Sequence, residues 1–209
     1  DEMFKQFELT YSKLGRARFF GHLELATIVQ RAIKRAGLNA KYSQGFNPTM
    51  RLSFDNALPV GMESEQEFMS LFLEKRLTSQ IIQEKLNNEL PEGLRITSCR
   101  PLIKRTAIEH QPSHYTIRFT RACLTQEQVD QFLSLSEYRV EDKSKKGKIR
   151  QTDLRKAVKR MVITDPVTVE MVLKPYNTRN VRPGEILTKC FNLKETLIRT
   201  AGITKRKQG

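Results

Sequence analysis

Cysteine and histidine are scarce in this chain, and each shortage closes a route to function. The three cysteines, Cys99, Cys123 and Cys190, stand alone and are odd in number. None has the spacing of a metal knuckle, and His22, His110 and His114 do not complete one with them. They read as small buried hydrophobes of a reducing cytosol, so no metal or cofactor is expected in this chain itself. No apolar run approaches the ~20 residues of a membrane helix, and no signal-peptide pattern opens the chain, so no membrane partner is expected. A Gly-x-Ser-x-Gly elbow, a phosphate loop and a paired-carboxylate motif are also missing, which leaves little case for an enzyme. The chain opens on Asp1 rather than Met and reads as a fragment, a processed chain or an excised domain.

What is abundant is positive charge. Thirty-seven Lys and Arg face 23 Asp and Glu, a formal net charge of +14 over 209 residues. A field of that sign draws polyanions, and each phosphate neutralised releases counterions, so nucleic acid is the first expectation. Hydrophobic content of 38% and charged content of 29% fit a folded, soluble protein.

The charge is clustered. Between Tyr11 and Phe54 stand Lys13, Arg16, Arg18, Arg31, Lys34, Arg35, Lys41 and Arg51, with Glu24 the only acid. Arg31, Lys34 and Arg35 share one helical face by their spacing; it serves either as a phosphate-facing patch or as a solvated face complementing the helix dipole. A second cluster runs from Lys143 to Arg160. It holds Lys143, Lys145, Lys146, Lys148, Arg150, Arg155, Lys156, Lys159 and Arg160 against Asp153 alone. Its Lys145-Lys-Gly-Lys148 tip suits a phosphate backbone or a solubilising loop.

Hydrophobic spacing gives the framework. Phe7–Tyr11 alternates as a strand, residues 22–36 carry apolar side chains at helical spacing with Gly37 as the stop, and Leu52–Phe54 and Phe68–Leu73 read as strands. Thr78 caps a second helix, and Leu94–Cys99 closes the unit as a strand. The second half repeats the order more loosely. Tyr115–Phe119 is a strand, Thr125 with Gln128 forms a capping box, and Tyr138–Glu141, Val158–Thr164 and Val167–Leu173 are strands. Pro183 opens a helix through Cys190, and Thr196–Thr200 ends the chain's pattern as a strand. The expected class is α+β: two ferredoxin-like βαββαβ units with antiparallel sheets, over residues 1–100 and 114–209, joined by a linker at 101–113. No strand carries the aromatic signature of the common RNA-recognition sheet, so RNA contacts are expected on loops and the helix face.

The segment Tyr42-Ser-Gln-Gly-Phe-Asn-Pro-Thr-Met-Arg51 is richer than a connector needs. Phe46 or Tyr42 suits base stacking, and Gln44 or Asn47 suits reading a base edge. His22, at the start of the first helix, suits a general acid or base for metal-independent RNA cleavage, or a plain helix-capping role. The tandem ribonucleases of CRISPR systems resemble this layout, including the early histidine, but their C-terminal glycine-rich loop is missing. Asp55 lacks the sequence context of the catalytic aspartate of pseudouridine synthases and reads as an Asp-Asn turn.

Taken together, Arg18-Phe-Phe-Gly-His-Leu-Glu-Leu25, Arg31-Ala-Ile-Lys-Arg-Ala-Gly-Leu38, Tyr42-Ser-Gln-Gly-Phe-Asn-Pro48, Arg51-Leu-Ser-Phe54 and Leu58-Pro-Val-Gly61 resemble the bacterial radical-SAM-linked domain, a family of unknown function. Asp153-Leu-Arg155 and Val181-Arg-Pro-Gly-Glu185 echo its second half more weakly. Where that family commonly shows His-Pro, this chain has Thr49-Met50. The resemblance implies a cytoplasmic domain working in cis or in trans with a radical SAM protein. That partner would hold the iron–sulfur cluster and S-adenosylmethionine, while this domain positions structured RNA such as tRNA or rRNA, or alternatively serves as a protein scaffold. The residues expected to touch RNA are Arg16, Arg18, His22, Arg31, Lys34, Arg35, Tyr42, Gln44, Phe46, Asn47, Arg51, Lys145, Lys146, Lys148, Arg155 and Lys156.

Overall fold

A computed structural model describes residues 2–102, 111–143, 149–177 and 179–207. The chain forms two units, Asp1–Ala107 and Ile108–Gly209. Both mix helices with antiparallel strands, the α+β class read from the sequence.

In the first unit the order is β1 (Phe4–Lys13), a 3-10 turn (Gly15–Phe19), α1 (His22–Arg35), β2 (Leu52–Phe54), β3 (Met62–Leu77), α2 (Ser79–Asn87) and β4 (Leu94–Pro101). β1 lies between β4 and β3, and β2 pairs with the far side of β3, all antiparallel. The spatial order β4-β1-β3-β2 is the one a split βαββαβ unit requires. Alternation makes the core: Phe7, Leu9 and Tyr11 of β1 and Met69, Leu71 and Leu73 of β3 are buried in one cluster. Leu25, Val29 and Ile33 of α1 join them, as do Ile82 and Leu86 of α2 and Ile96 of β4. The opposite face is polar, with Glu8 paired to Arg100 across β1 and β4. The Thr78 hydroxyl accepts from the Ile81 amide and starts α2.

The second unit runs β5 (Ser113–Arg118), α3 (Gln126–Ser134), β6 (Arg139–Lys143), β7 (Ile149–Asp153), α4 (Leu154–Ala157), β8 (Val158–Asp165), β9 (Thr168–Leu173), α5 (Pro183–Phe191), α6 (Glu195–Thr200) and β10 (Gly202–Arg206). Its main sheet has the order β10-β5-β9-β8, again antiparallel. β6 and β7 form a separate two-stranded sheet, inserted ahead of β8. The Thr125–Gln128 capping box is present in full.

One element differs in kind. Thr196–Thr200 lies in helix α6, and the closing strand comes after it at Gly202–Arg206. The run Thr-Leu-Ile-Arg-Thr has the β-branched content of a strand, but the Leu197 amide bonds the Lys194 carbonyl and Arg199 reaches Glu195 one turn back at 3.3 Å. Asn192, in the left-handed region at φ 53°, ends α5 and redirects the chain into that turn.

Candidate nucleic-acid interface

The 42–50 loop is a braced projection. Tyr42 bridges to Met50 in antiparallel fashion, the Ser43 amide donates to the Thr49 carbonyl at 2.8 Å, and the Arg51 amide donates to the Lys41 carbonyl at 2.8 Å. The Ser43 hydroxyl accepts from the Thr49 amide at 3.0 Å and lies 3.1 Å from the Thr49 hydroxyl. Met50, 8% exposed, anchors the stem in the core. So Thr49 and Met50 close and root this loop, whatever other residues serve elsewhere. Above the stem, Gly45 turns at φ 122°, a value that side chains resist, and every residue from Lys41 to Thr49 is exposed. Phe46 shows its whole ring to solvent, at 105% relative exposure, while Tyr42 is 38% exposed. Gln44 and Asn47, near Phe46 in the sequence, are exposed and have no side-chain partner among the described residues.

The expected cations divide into two groups. Arg31, Lys34 and Lys41 are exposed and have no side-chain partner among the described residues, and Arg16 is the same. Others are already engaged. Arg35 donates from Nε to Glu89 at 2.8 Å and from an Nη to the Glu89 carbonyl at 2.7 Å. The Arg18 guanidinium sits 4.7 Å from the Phe19 ring centroid and 3.5 Å from Glu63, and Arg51 stacks over Phe72 at 4.7 Å.

Lys13 departs furthest from the surface charge counted in the sequence. It is 1% exposed, and its Nζ donates to the Phe20 carbonyl at 2.8 Å, holding the chain that leads from the 3-10 turn into α1. Burial pulls its ammonium below the usual lysine range, opposed by the charges of Glu67 and Glu24. Beside it, Ser64 donates to the buried Glu67 at 2.8 Å. Burial, with Glu67 and Asp55 adding to it, keeps the Tyr11 hydroxyl protonated far above its ordinary range. Sequence spacing offered one signal for this cluster: Lys13 shares strand parity with the core residues Leu9 and Tyr11.

His22 is exposed at the first position of α1, with its ring edge-on to Phe54 at 5.5 Å. No acid–base partner reaches it among the described residues. Asp55 follows β2 and its amide donates to the Phe68 carbonyl at 3.1 Å, within the sheet-edge turn.

In the second unit, Lys145, Lys146 and Lys148 lie outside the described residues. Arg155 is structural: its Nε donates to the Leu133 carbonyl and an Nη to the Val158 carbonyl, both at 3.0 Å. Asp153, 1% exposed, accepts from the Tyr138 amide at 3.0 Å and pairs with Lys156 at 3.4 Å. Arg179, which sequence reasoning passed over, joins Thr152 to Glu185 at 2.9 Å each. Asp153 and the Arg179–Glu185 pair thus brace the foot of the β6–β7 hairpin, while Arg155 ties α4 to α3 and β8. Among the described residues no cluster of His, Cys, Asp or Glu has the makings of a metal site. No helix there is long and apolar enough to cross a membrane.

The family model described as "Uncharacterized protein conserved in bacteria (DUF2344)" matches residues 6–183. The chain belongs to this family. The match takes in the braced loop, the 3-10 turn and the hairpin foot, and reaches the first residue of α5. No curated protein matches the sequence. A solved structure titled "Crystal Structure of a Cbf5-Nop10-Gar1 Complex" aligns with 97% of this chain and 48% of its own, with 8% identity and a TM-score of 0.46. The chain therefore spans about half the length of that neighbour.

Proposed function

We propose that this domain binds structured RNA, tRNA or rRNA, and positions it for a radical SAM protein acting in cis or in trans. The observation that carries the reading is Phe46, wholly exposed on a loop whose stem is tied by Ser43 and Thr49. The ring contributes nothing to the core, yet the loop beneath it is fixed, as a platform for stacking requires. The partnerless cations Arg16, Arg31, Lys34 and Lys41 supply phosphate contacts, and Gln44 and Asn47 offer amides to a base edge. The radical chemistry, with its iron–sulfur cluster and S-adenosylmethionine, belongs in this reading to the partner, whose involvement rests on the sequence resemblance.

The test is binding of the purified domain to total bacterial small RNA at two salt concentrations, with the RNA run on a gel afterwards. Salt-sensitive binding of intact RNA supports the positioning role. RNA recovered cut would replace it with a ribonuclease using His22. No binding at low salt removes both and leaves a protein scaffold.

A further inference from the structure

We propose that Phe19, His22, Leu23 and Val60 form a second stacking site, for another unpaired base of the bound RNA, at the N-terminal end of α1. The proposal rests on the RNA reading above but uses a different surface. Phe19 is 57% exposed, Leu23 82% and Val60 64%. Two segments bring them together: the Gly61 amide donates to the Arg18 carbonyl at 2.8 Å, and Val60 Cγ2 stands 3.9 Å from where a β-carbon on Gly21 would be. Ala17 and Leu25 of this stretch are buried and Phe20 packs partly against the core, whereas Phe19, Leu23 and Val60 stand out from it and His22 meets the Phe54 ring edge-on.

The chemistry of the rim selects the ligand. Arg18 lies over the Phe19 ring, which stays 57% exposed, the exposed His22 imidazole adds a second ring, and Leu23 and Val60 add exposed apolar surface. Arg16 is an exposed cation with no partner among the described residues. Rings, and a guanidinium that Glu63 neutralises from 3.5 Å, beside the partnerless Arg16 suit a flat base with its phosphate. The site lies about 18 Å along α1 from Lys34, at 1.5 Å of rise per residue.

The experiment measures anisotropy of a labelled 12-nucleotide single-stranded RNA at low salt with the full chain and its Phe46→Ala, Phe19→Ala, Phe19→Tyr and Leu23→Ser variants. Thermal melting of each serves as a folding control. The expected result is at least about a fivefold loss of affinity for Phe19→Ala and Leu23→Ser, with Phe19→Tyr close to wild type. Wild-type binding that weakens in Phe46→Ala but not in Phe19→Ala and Leu23→Ser overturns the second site and leaves the RNA reading standing. Equal losses in Phe19→Tyr and Phe19→Ala overturn it too, because an aromatic face would then be irrelevant. A wild type that binds total small RNA but not this oligonucleotide overturns the second site and leaves the RNA reading standing, and failure to bind either removes both.

Discussion

Replacing Gly93 with alanine should destabilise the first unit by about 3 kcal/mol, and the figure follows from three local features. Gly93 sits at φ 87°, where a β-carbon costs roughly 1–2 kcal/mol. That carbon would stand 2.3 Å from the Leu14 carbonyl oxygen and 2.9 Å from the Ala17 β-carbon, so backbone rather than a flexible side-chain end must move. Overpacking of this kind costs about 1–3 kcal/mol. Moving Leu14 also strains the 2.8 Å bond from its amide to the Gly93 carbonyl, worth about 1 kcal/mol. Alanine's stiffer unfolded chain returns less than about 1 kcal/mol. Urea titration followed by circular dichroism is the assay, and at roughly 1–3 kcal/mol per molar of urea the first transition should move down by about 1 M or more. A shift under about 0.3 M would refute the reasoning, by showing that the 3-10 turn yields freely. The consequence for function is local, because that turn carries Arg16, Arg18 and Phe19.

Phe46→Ala should leave thermal stability within about 0.5 kcal/mol of wild type, since the ring buries nothing, while weakening RNA binding by roughly fivefold or more in a filter-binding assay. Burial pushes the Cys99 and Cys190 thiols up to about 12, so at pH 8 roughly one part in ten thousand is thiolate. Mass spectrometry should find both slow to take iodoacetamide until urea is added, and rapid labelling of the folded chain would contradict the shielding of these half-buried thiols. At Asp153, burial raises the carboxyl, but the Tyr138 and Lys156 amides and the Lys156 ammonium outweigh it and set the folded value below the unfolded one near 3.9. Its contribution to stability is therefore present above about pH 4 and lost as pH falls through the folded value. Asp153→Ala should flatten that acid limb in pH-dependent melting and cost about 1–3 kcal/mol at neutral pH.

Elements with local signatures were legible in the sequence. The apolar stripe Leu25, Val29, Ile33 marks α1, Thr78 and Thr125 mark two helix starts, and alternation marks β1 and β9. Partners far away in the chain left no such mark. Arg35 meets Glu89 from 54 residues away, and Arg155 finds the Leu133 carbonyl 22 residues back, so both looked like free surface charge. Lys13 misled for another reason. A lysine near a strand end usually keeps its head in water, but here the Phe20 carbonyl lies directly over it. The 42–50 loop was legible as a surface for contact because its residue types exceed the needs of a turn. Its rigidity was not, because that depends on Ser43 meeting Thr49 through side chains.

These engaged cations change the expected salt dependence of RNA binding. Of the eight Lys and Arg between Tyr11 and Phe54, Lys13 is buried, Arg35 is held by Glu89, and Arg18 and Arg51 lie over aromatic rings. A cation already paired within the protein releases fewer counterions when it meets a phosphate. On single-stranded RNA each free cation adds about 0.7 to the slope of log affinity against log salt. Replacing Arg31 and Lys34 together with alanine should therefore reduce the steepness by about 1.4. Arg35→Ala should leave the slope nearly unchanged, although it lies on the same helix and removes the same charge. If Arg35→Ala flattened the slope as much per charge as the double variant, the Glu89 pair would have to open on binding. The division of this surface into braces and free phosphate contacts would then be wrong.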